Sequence, residues 1–525
     1  MVGLGVASLL TDIGAWLGHL LSPQPLGLMA LGVFLGILVG AIPGLTATLA
    51  IALLLPFTFR MPPVDALIFL VSIYAGGLYG GAITAITIRI PGAPSNVMTA
   101  LDGFQMAQRG RAEAALGLAT FSSFVGGVFG GAALVLVAPQ IAQLALRFQS
   151  PETLALVVLA LVAVAGVESA SLLRGLTSAV LGLMLATVGL DPMVGAPRYW
   201  LGVSELMAGI PLQTLVIGLF AIAELLRRSA EPERKPPLRP QLHLRRMFDF
   251  WPLLRGLGAR LPLKSAIIGT VIGALPGAGA SMAAFLSYSE AKRSSRRPER
   301  FGTGIPEGIV AAETANNAVT GGALIPMLSL GIPGDAVTAV ILSALLIQGI
   351  FPGPRLFERS GELIAPLFTA YFIAYGLVLV LGLGLVPLVA RLALVDRSIL
   401  LPFVGAVAII ASHVTQGTAF GVWLTLGVGV AGYLLSRLGF PLVPMLLGLI
   451  LGPILETNLR RALLISKGNP MIFLSRPISL VLLILAAGLA FYFYRRGREQ
   501  VADAGDQGAQ EMEQAAREPS MAGRK

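Results

Sequence analysis

The chain has no cysteine, only three histidines, and charge on only 12% of its 525 residues. Without cysteine there is no disulfide and no thiolate metal site, and His19, His243 and His413 stand too far apart in sequence to suggest a metal cluster. No cofactor is expected. The shortage of charge excludes more, because 55% hydrophobic residues leave too little polar surface for a soluble globule. Lipid bilayer is the expected solvent. Enzymatic signatures are missing as well: there is no His-Glu-x-x-His, no P-loop ending in Gly-Lys-Ser or Gly-Lys-Thr, and no cysteine nucleophile. An enzyme is not expected.

Glycine (63 residues) and proline (35) are plentiful. Transmembrane helices tolerate both where neighbours re-satisfy the freed backbone groups, so interrupted helices are expected. The net charge of +10 gathers in loops, which fits membrane orientation and no nucleic-acid partner. From Arg227 to Lys264, ten Lys or Arg residues stand against Glu231, Glu233 and Asp249. The positive-inside rule puts this stretch, with its Pro-rich middle Pro232 to Pro240, in the cytoplasm. The resulting division is an interfacial segment 1–25, membrane repeat one 26–226, basic linker 227–264, membrane repeat two 265–456, loop and last transmembrane helix 457–494, and a disordered polar tail 495–525.

Two halves repeat at a shift of 233 to 242 residues. Gly40-Ala41-Ile42-Pro43-Gly44 returns as Gly273-Ala274-Leu275-Pro276-Gly277. Gly80-Gly81-Ala82-Ile83, followed by Ile90-Pro91-Gly92, returns as Gly321-Gly322-Ala323-Leu324, followed by Ile332-Pro333-Gly334. Ser265 to Ser289 is uncharged but flanked on both sides by basic residues, Lys264 before it and Lys292, Arg293, Arg296, Arg297 and Arg300 after it. One crossing would put the second cluster outside. A turn at Pro276-Gly277 into two arms of about ten residues, ~15 Å each, keeps both clusters cytoplasmic. The matching element around Pro43 is followed by Arg60 and Asp65, and so suits the opposite face. Later loops alternate in the same way: Arg109 and Arg111 make one basic, while Arg355 and Arg359 are offset by Glu358 and Glu362 in another. The loop Glu456 to Arg476, which carries Arg460, Arg461, Lys467 and Arg476, is the exception. The expected fold is an all-α polytopic membrane protein with about eleven crossings plus two re-entrant hairpins, in two inverted structural repeats, a construction common in secondary transporters.

At a Pro-Gly break a helix opens and a new one starts with unpaired N–H groups, which attract an anion. The substrate-binding candidates are therefore Pro43, Gly44, Pro91, Gly92, Pro276, Gly277, Pro333 and Gly334. Polar side chains just beyond the breaks add to them: Thr46, Thr48, Ser95, Asn96, Ser281 and Thr338. A single pair read alone is more simply a kink, whereas four in two matching sets favour a site. Three intramembrane charges are functional candidates by cost alone. Arg89 could meet a substrate carboxylate or neutralise Asp335. Glu313, with Asn316 and Asn317 one turn on, could hold a coupling cation, sodium or a proton, or simply bond helices together.

At these residues the sequence resembles the large permease subunit of the tripartite tricarboxylate transporters, the TctA family. The resemblance rests on the two breaks of each half together with Leu101-Asp102-Gly103-Phe104-Gln105-Met106-Ala107 and Glu313-Thr314-Ala315-Asn316-Asn317-Ala318. Gln348-Gly349-Ile350-Phe351-Pro352-Gly353-Pro354 and Leu451-Gly452-Pro453-Ile454-Leu455-Glu456-Thr457-Asn458-Leu459-Arg460-Arg461 extend it. It implies ion-driven uptake of a carboxylate across a bacterial inner membrane. A TctC-like periplasmic solute-binding protein would deliver the substrate, and a TctB-like small membrane subunit would assist. Two positions depart from the family pattern: Arg89 stands where Asn is usual and Asp335 where a small residue such as Ser is usual. An anion-selective channel or a stand-alone carboxylate symporter is the alternative.

Overall fold

The structure, a computed structural model, describes residues 6–169, 171–230, 242–359, 361–392, 395 and 397–496. Most of the Pro-rich linker and all of the tail beyond 496 lie outside these residues, as do the side chains of Glu358, Arg359 and Glu362. The chain runs through α1 (Val6–Leu20), α2 (Pro23–Ala41), α3 (Ala47–Leu54), α4 (Pro63–Ile88), α5 (Val97–Met106), α6 (Ala112–Ala145), α7 (Ser150–Val167) and α8 (Leu172–Ala186). After α9 (Leu212–Val216), α10 (Ala223–Ser229) and α11 (Trp251–Leu257) come α12 (Arg260–Ala274), α13 (Gly279–Ser294), α14 (Pro306–Leu330) and α15 (Ala336–Ile347). The rest is α16 (Pro354–Arg359), α17 (Gly361–Leu392), α18 (Arg397–Gln416), α19 (Ala419–Arg437), α20 (Leu442–Ile465), and a final helix over Pro477–Arg496.

Among the described residues, nine helices are long and apolar enough to cross a membrane, or ten if the bent pair Leu244–Leu257 and Arg260–Ala274 forms one span. The chain is an all-helical polytopic membrane protein, apart from one two-residue ladder at Gly189–Leu190 and Pro197–Arg198. Helix α14 is absent from those nine although its 25 residues rise about 37 Å. Glu313, Thr314, Asn316, Asn317 and Thr320 make it too polar for lipid, and every residue from Gly308 to Ser329 is buried by protein instead. Helix α4 beside it is buried from Ala66 to Ile86.

The contacts divide the chain into two compact units, one of residues 1–149 and 186–437, the other of 150–185 and 438–525. In the second, Glu152 on α7 is paired with Arg476 at 3.0 Å and α8 packs on α20, where a Cβ at Gly448 would press on the backbone of Ala179. Glu456 to Ile465, expected in a loop, forms the end of α20. An i,i+4 pair between Glu456 and Arg460, at 3.0 Å, supports the extra turns, and no breaker occurs before Gly468. The basic linker is likewise more structured than expected: after residue 242 it turns through Leu244–Phe248 and α11, with Met247 and Phe250 buried. The Phe250 and Trp251 rings stack on each other and lie tilted against Phe121 of α6.

In the first unit the two halves use the same contacts. A Cβ at Gly80 on α4 would press on the carbonyl of Ile37 on α2, and one at Gly322 on α14 would press on that of Thr270 on α12. Gly80 therefore matches Gly322, one residue away from the motif match to Gly321, and the helices share the 242-residue shift of Pro91 and Pro333. The turn after α12 folds α13 back along it, and Lys264 meets Glu290 at 2.5 Å, bringing both basic flanks to one end. The arms have 15 and 16 residues, about 22–24 Å, because both helices continue into their charged flanks. In the first half the preceding arm, α2, is longer still at 19 residues.

Candidate functional site

Each hairpin turn is fastened to the break that follows it. Gly44 N–H donates to Gly92 O at 3.0 Å, and Gly277 N–H donates to Gly334 O at 2.8 Å. Both turn glycines have left-handed φ, 80° and 83°, which only glycine adopts without strain. At the breaks, Ile90 N–H donates to Thr84 O and Ile332 N–H to Pro326 O, each at 3.3 Å. Arg89 ends α4 with φ 59°, where its counterpart Gly331 ends α14 with φ 74°. The four Pro-Gly pairs thus form two equivalent backbone assemblies.

The side chains do not follow the same symmetry. Just beyond the first break Ser95 is 5% exposed and Asn96 fully buried. Asn96 Nδ2 donates to Glu313 Oε1 at 3.2 Å, and Thr99, one turn on, donates to the same oxygen at 2.5 Å. Ser123 on α6 donates to Oε2 at 3.1 Å, and Asn317 Nδ2 lies 3.4 Å from it. Asn317 also donates to Ser123 at 2.9 Å and to the Glu313 carbonyl at 3.1 Å. Glu313 therefore sits, fully buried, where α14 of the second half meets the turn Pro94–Asn96 and helices α5 and α6 of the first, and every donor to it is neutral. The oxygen of the Asn96 amide and both polar atoms of Asn316 are buried without a hydrogen-bond partner. Buried polar atoms are rarely left so, because each costs about 1–3 kcal/mol. A carboxylate with unpartnered amide oxygens and hydroxyls close by is a hard-oxygen donor set.

Several expected residues serve other ends. Arg89 is exposed, lies over the Phe104 ring at 5.8 Å, and does not pair with Asp335. The left-handed turn at residue 89 directs its side chain elsewhere. Asp335 Oδ2 instead accepts from Tyr74 at 2.5 Å, while Oδ1 accepts from the Thr338 amide at 2.8 Å and hydroxyl at 2.7 Å. Thr338 returns a bond from the Asp335 amide to its own oxygen, completing a capping box, so its hydroxyl is committed. Thr46 caps α3 by accepting from the Leu49 amide at 3.4 Å, Thr48 is buried, and Ser281 is exposed.

Five contributors escape sequence reading. Arg228, assigned to the cytoplasmic linker, is the end of α10, and its side chain is only 8% exposed. Its Nη1 donates to Pro43 O at 2.8 Å and its Nε to Glu224 at 2.7 Å, so a guanidinium sits on the first hairpin turn. A Cβ at Gly44 would overlap it. The one available signal was Glu224, four residues earlier on the same helix face. Thr99, three residues after Asn96, could have been found by helical spacing, whereas Ser123 and Tyr74 carry no local signal. Asp102, inside one of the family motifs, binds the amides of Gly302, Gly304 and Ile305 at 2.8–3.0 Å and the Tyr288 hydroxyl at 2.8 Å, anchoring the start of α14.

The sequence matches the Tripartite tricarboxylate transporter TctA family over residues 26–447. An uncharacterised 52.8 kDa protein in the TAR-I ttuC' 3' region of Agrobacterium vitis is 38% identical over 470 residues, 87% of this chain and 90% of that protein. An uncharacterised protein in the TAR-II ttuC' 3' region of the same organism is 38% identical over 215 residues, 41% of this chain and 89% of that protein. No solved structure matches. With the buried helix α14, the two paired breaks and the apolar spans around them, the chain belongs to the TctA family, the membrane-embedded permease component of tripartite tricarboxylate transporters.

Proposed function

We propose that the chain imports a carboxylate by cation symport, as the permease subunit of a binding-protein-dependent secondary transporter in a bacterial inner membrane. The observation that carries this reading is Glu313, a fully buried acid held only by neutral donors at the junction of the two sequence halves. Such a group is expensive in a membrane interior unless it exchanges a cation, sodium or a proton, during a cycle. Asn316 and Asn317 complete its surroundings. The substrate carboxylate sits at the first break, against the backbone of Pro91 and Gly92 and beside Ser95. The turns at Pro43-Gly44 and Pro276-Gly277 each support the break of their own repeat, and inversion of those repeats supplies alternating access. A periplasmic solute-binding protein and a small membrane subunit are the partners.

A channel with the same lining would conduct but not accumulate. Proteoliposomes holding the chain with its two partner subunits distinguish the two, using a labelled carboxylate retained by the binding protein. Accumulation above the external concentration that collapses with the sodium or proton gradient is the expected result. Flux that only equilibrates the substrate would refute symport.

A further inference from the structure

The second hairpin turns its small residues inward and its aliphatic ones outward. Gly269 and Gly273 bring the backbone of α12 onto α14, where a Cβ would meet the carbonyls of Ala315 and Val319 at 2.3 and 2.6 Å. Leu263, Ile267 and Val271, four residues apart, therefore stand on the opposite face of α12 and are 47–55% exposed. An outward aliphatic stripe alone is only a lipid-facing surface. This one is hollow: Ile267, Val271 and Ile272 of α12 and Leu286 of α13 line a groove of about 580 Å³ that ends at Glu290 and Arg293. At that end Glu290 is met by two cations, Lys264 and Arg293, each at 2.5 Å, so the polar end keeps a positive charge. Residues 260–300 carry seven Lys or Arg against Glu290 and Glu299, and the Arg293 side chain is 81% exposed despite its ion pair.

An apolar groove that runs toward the Pro276-Gly277 turn and opens among cations at the other end has the polarity of a phospholipid. The positive-inside rule puts the basic end at the cytoplasmic leaflet. We propose that the groove between α12 and α13 binds an anionic phospholipid of that leaflet, with an acyl chain along Ile267, Val271 and Leu286 and the phosphate against Arg293 and Lys264. The excess of cations selects the charge of the headgroup, since each Lys or Arg near the surface attracts anionic lipid. The volume suits an acyl chain better than a partner's transmembrane helix: a helix ~10 Å across would fill 580 Å³ within about five residues. Because α12 lies on α14 and its turn is bonded to Gly334, a lipid held between the arms braces the second break from the membrane side.

The test offers equimolar phosphatidylglycerol and phosphatidylcholine, of one acyl composition, to the full-length protein in neutral detergent, alone and with the small membrane subunit. Native mass spectrometry counts the lipid retained. Wild type is expected to keep phosphatidylglycerol in preference. Arg293→Gln should cut that preference about fivefold, the value of about 1 kcal/mol for one cation beside a headgroup. Arg109→Gln removes an exposed cation from a separate basic loop and should leave the preference unchanged. Val271→Trp fills the groove without touching any charge, and should lose the retained phosphatidylglycerol. Equal retention of the two lipids by wild type would overturn the proposal, as would an equal fall in Arg109→Gln and Arg293→Gln, which would mean attraction by net charge alone. Unchanged retention in Val271→Trp would place the lipid elsewhere and overturn it too. Release of the lipid by the small membrane subunit would make the groove a protein interface, with the same consequence.

Discussion

Replacing Glu313 by Gln removes one charge and changes almost no volume, which makes it a sharp perturbation of the proposed coupling site. The carboxylate oxygens accept from Asn96, Thr99, Ser123 and Asn317, so a glutamine amide must turn its NH2 toward groups that are themselves donors. The two hydroxyls can rotate to accept, whereas the amide nitrogens of Asn96 and Asn317 cannot. Placing the new oxygen toward Asn96 and Thr99 therefore leaves NH2 facing Ser123 and Asn317, where only the serine adapts. The packing survives at the loss of about one hydrogen bond, roughly 1 kcal/mol.

The effect on a cation is larger. A monovalent ion in contact with the carboxylate, about 4 Å from its charge centre, gains about 4 kcal/mol at an effective dielectric of 20. Losing this weakens cation binding roughly 10³-fold at about 1.4 kcal/mol per decade. Glu313→Gln should therefore abolish gradient-driven accumulation while counterflow, which exchanges labelled for unlabelled substrate without net cation movement, continues. Both are measured in the same proteoliposomes. Equal loss of accumulation and counterflow, or loss of neither, would refute the assignment of Glu313 to coupling.

Other consequences can be checked separately. Because Lys264 and Glu290 tie the two ends of the hairpin together, cysteines introduced at Arg260 and Arg296 should be labelled from the same, cytoplasmic, side; the chain has no native cysteine to interfere, and labelling from opposite sides would rule out the hairpin. Ser95→Ala should weaken substrate affinity about 10- to 150-fold, the value of a hydrogen bond to a charged group, and an unchanged half-saturation would remove Ser95 from the site. Arg89→Asn should leave affinity within about threefold, since the side chain faces outward and Asn tolerates the left-handed backbone; loss of binding would reinstate Arg89 as the anchor. Arg228→Met should lower thermal stability by about 2–3 kcal/mol through the bare Pro43 carbonyl and the altered Glu224 pairing, and an unshifted melting temperature would show that the guanidinium does not support the turn.

What could be read in advance divides along a physical line. Pro43-Gly44, Pro91-Gly92 and their partners were legible because proline and glycine act on their own backbone, so the break is written locally. Glu313 was legible because an acid in an apolar stretch stands out wherever it folds. The side chains that complete the site were not legible: Tyr74 lies 261 residues from Asp335, Ser123 lies 190 from Glu313, and Arg228 lies 185 from Pro43. Arg89 misled for a related reason, since its neighbours in sequence marked it as a partner for charge while its left-handed φ directed it away. The same distinction explains the crossings. A count based on apolar length is blind to a helix such as α14, whose polarity is affordable only because other helices enclose it. That polarity is informative in itself: a helix too polar for lipid must be wrapped by protein. The wrapping places its acid where both halves can reach it, and so a low hydropathy flanked by two breaks marks a helix enclosed by its own unit rather than a loop.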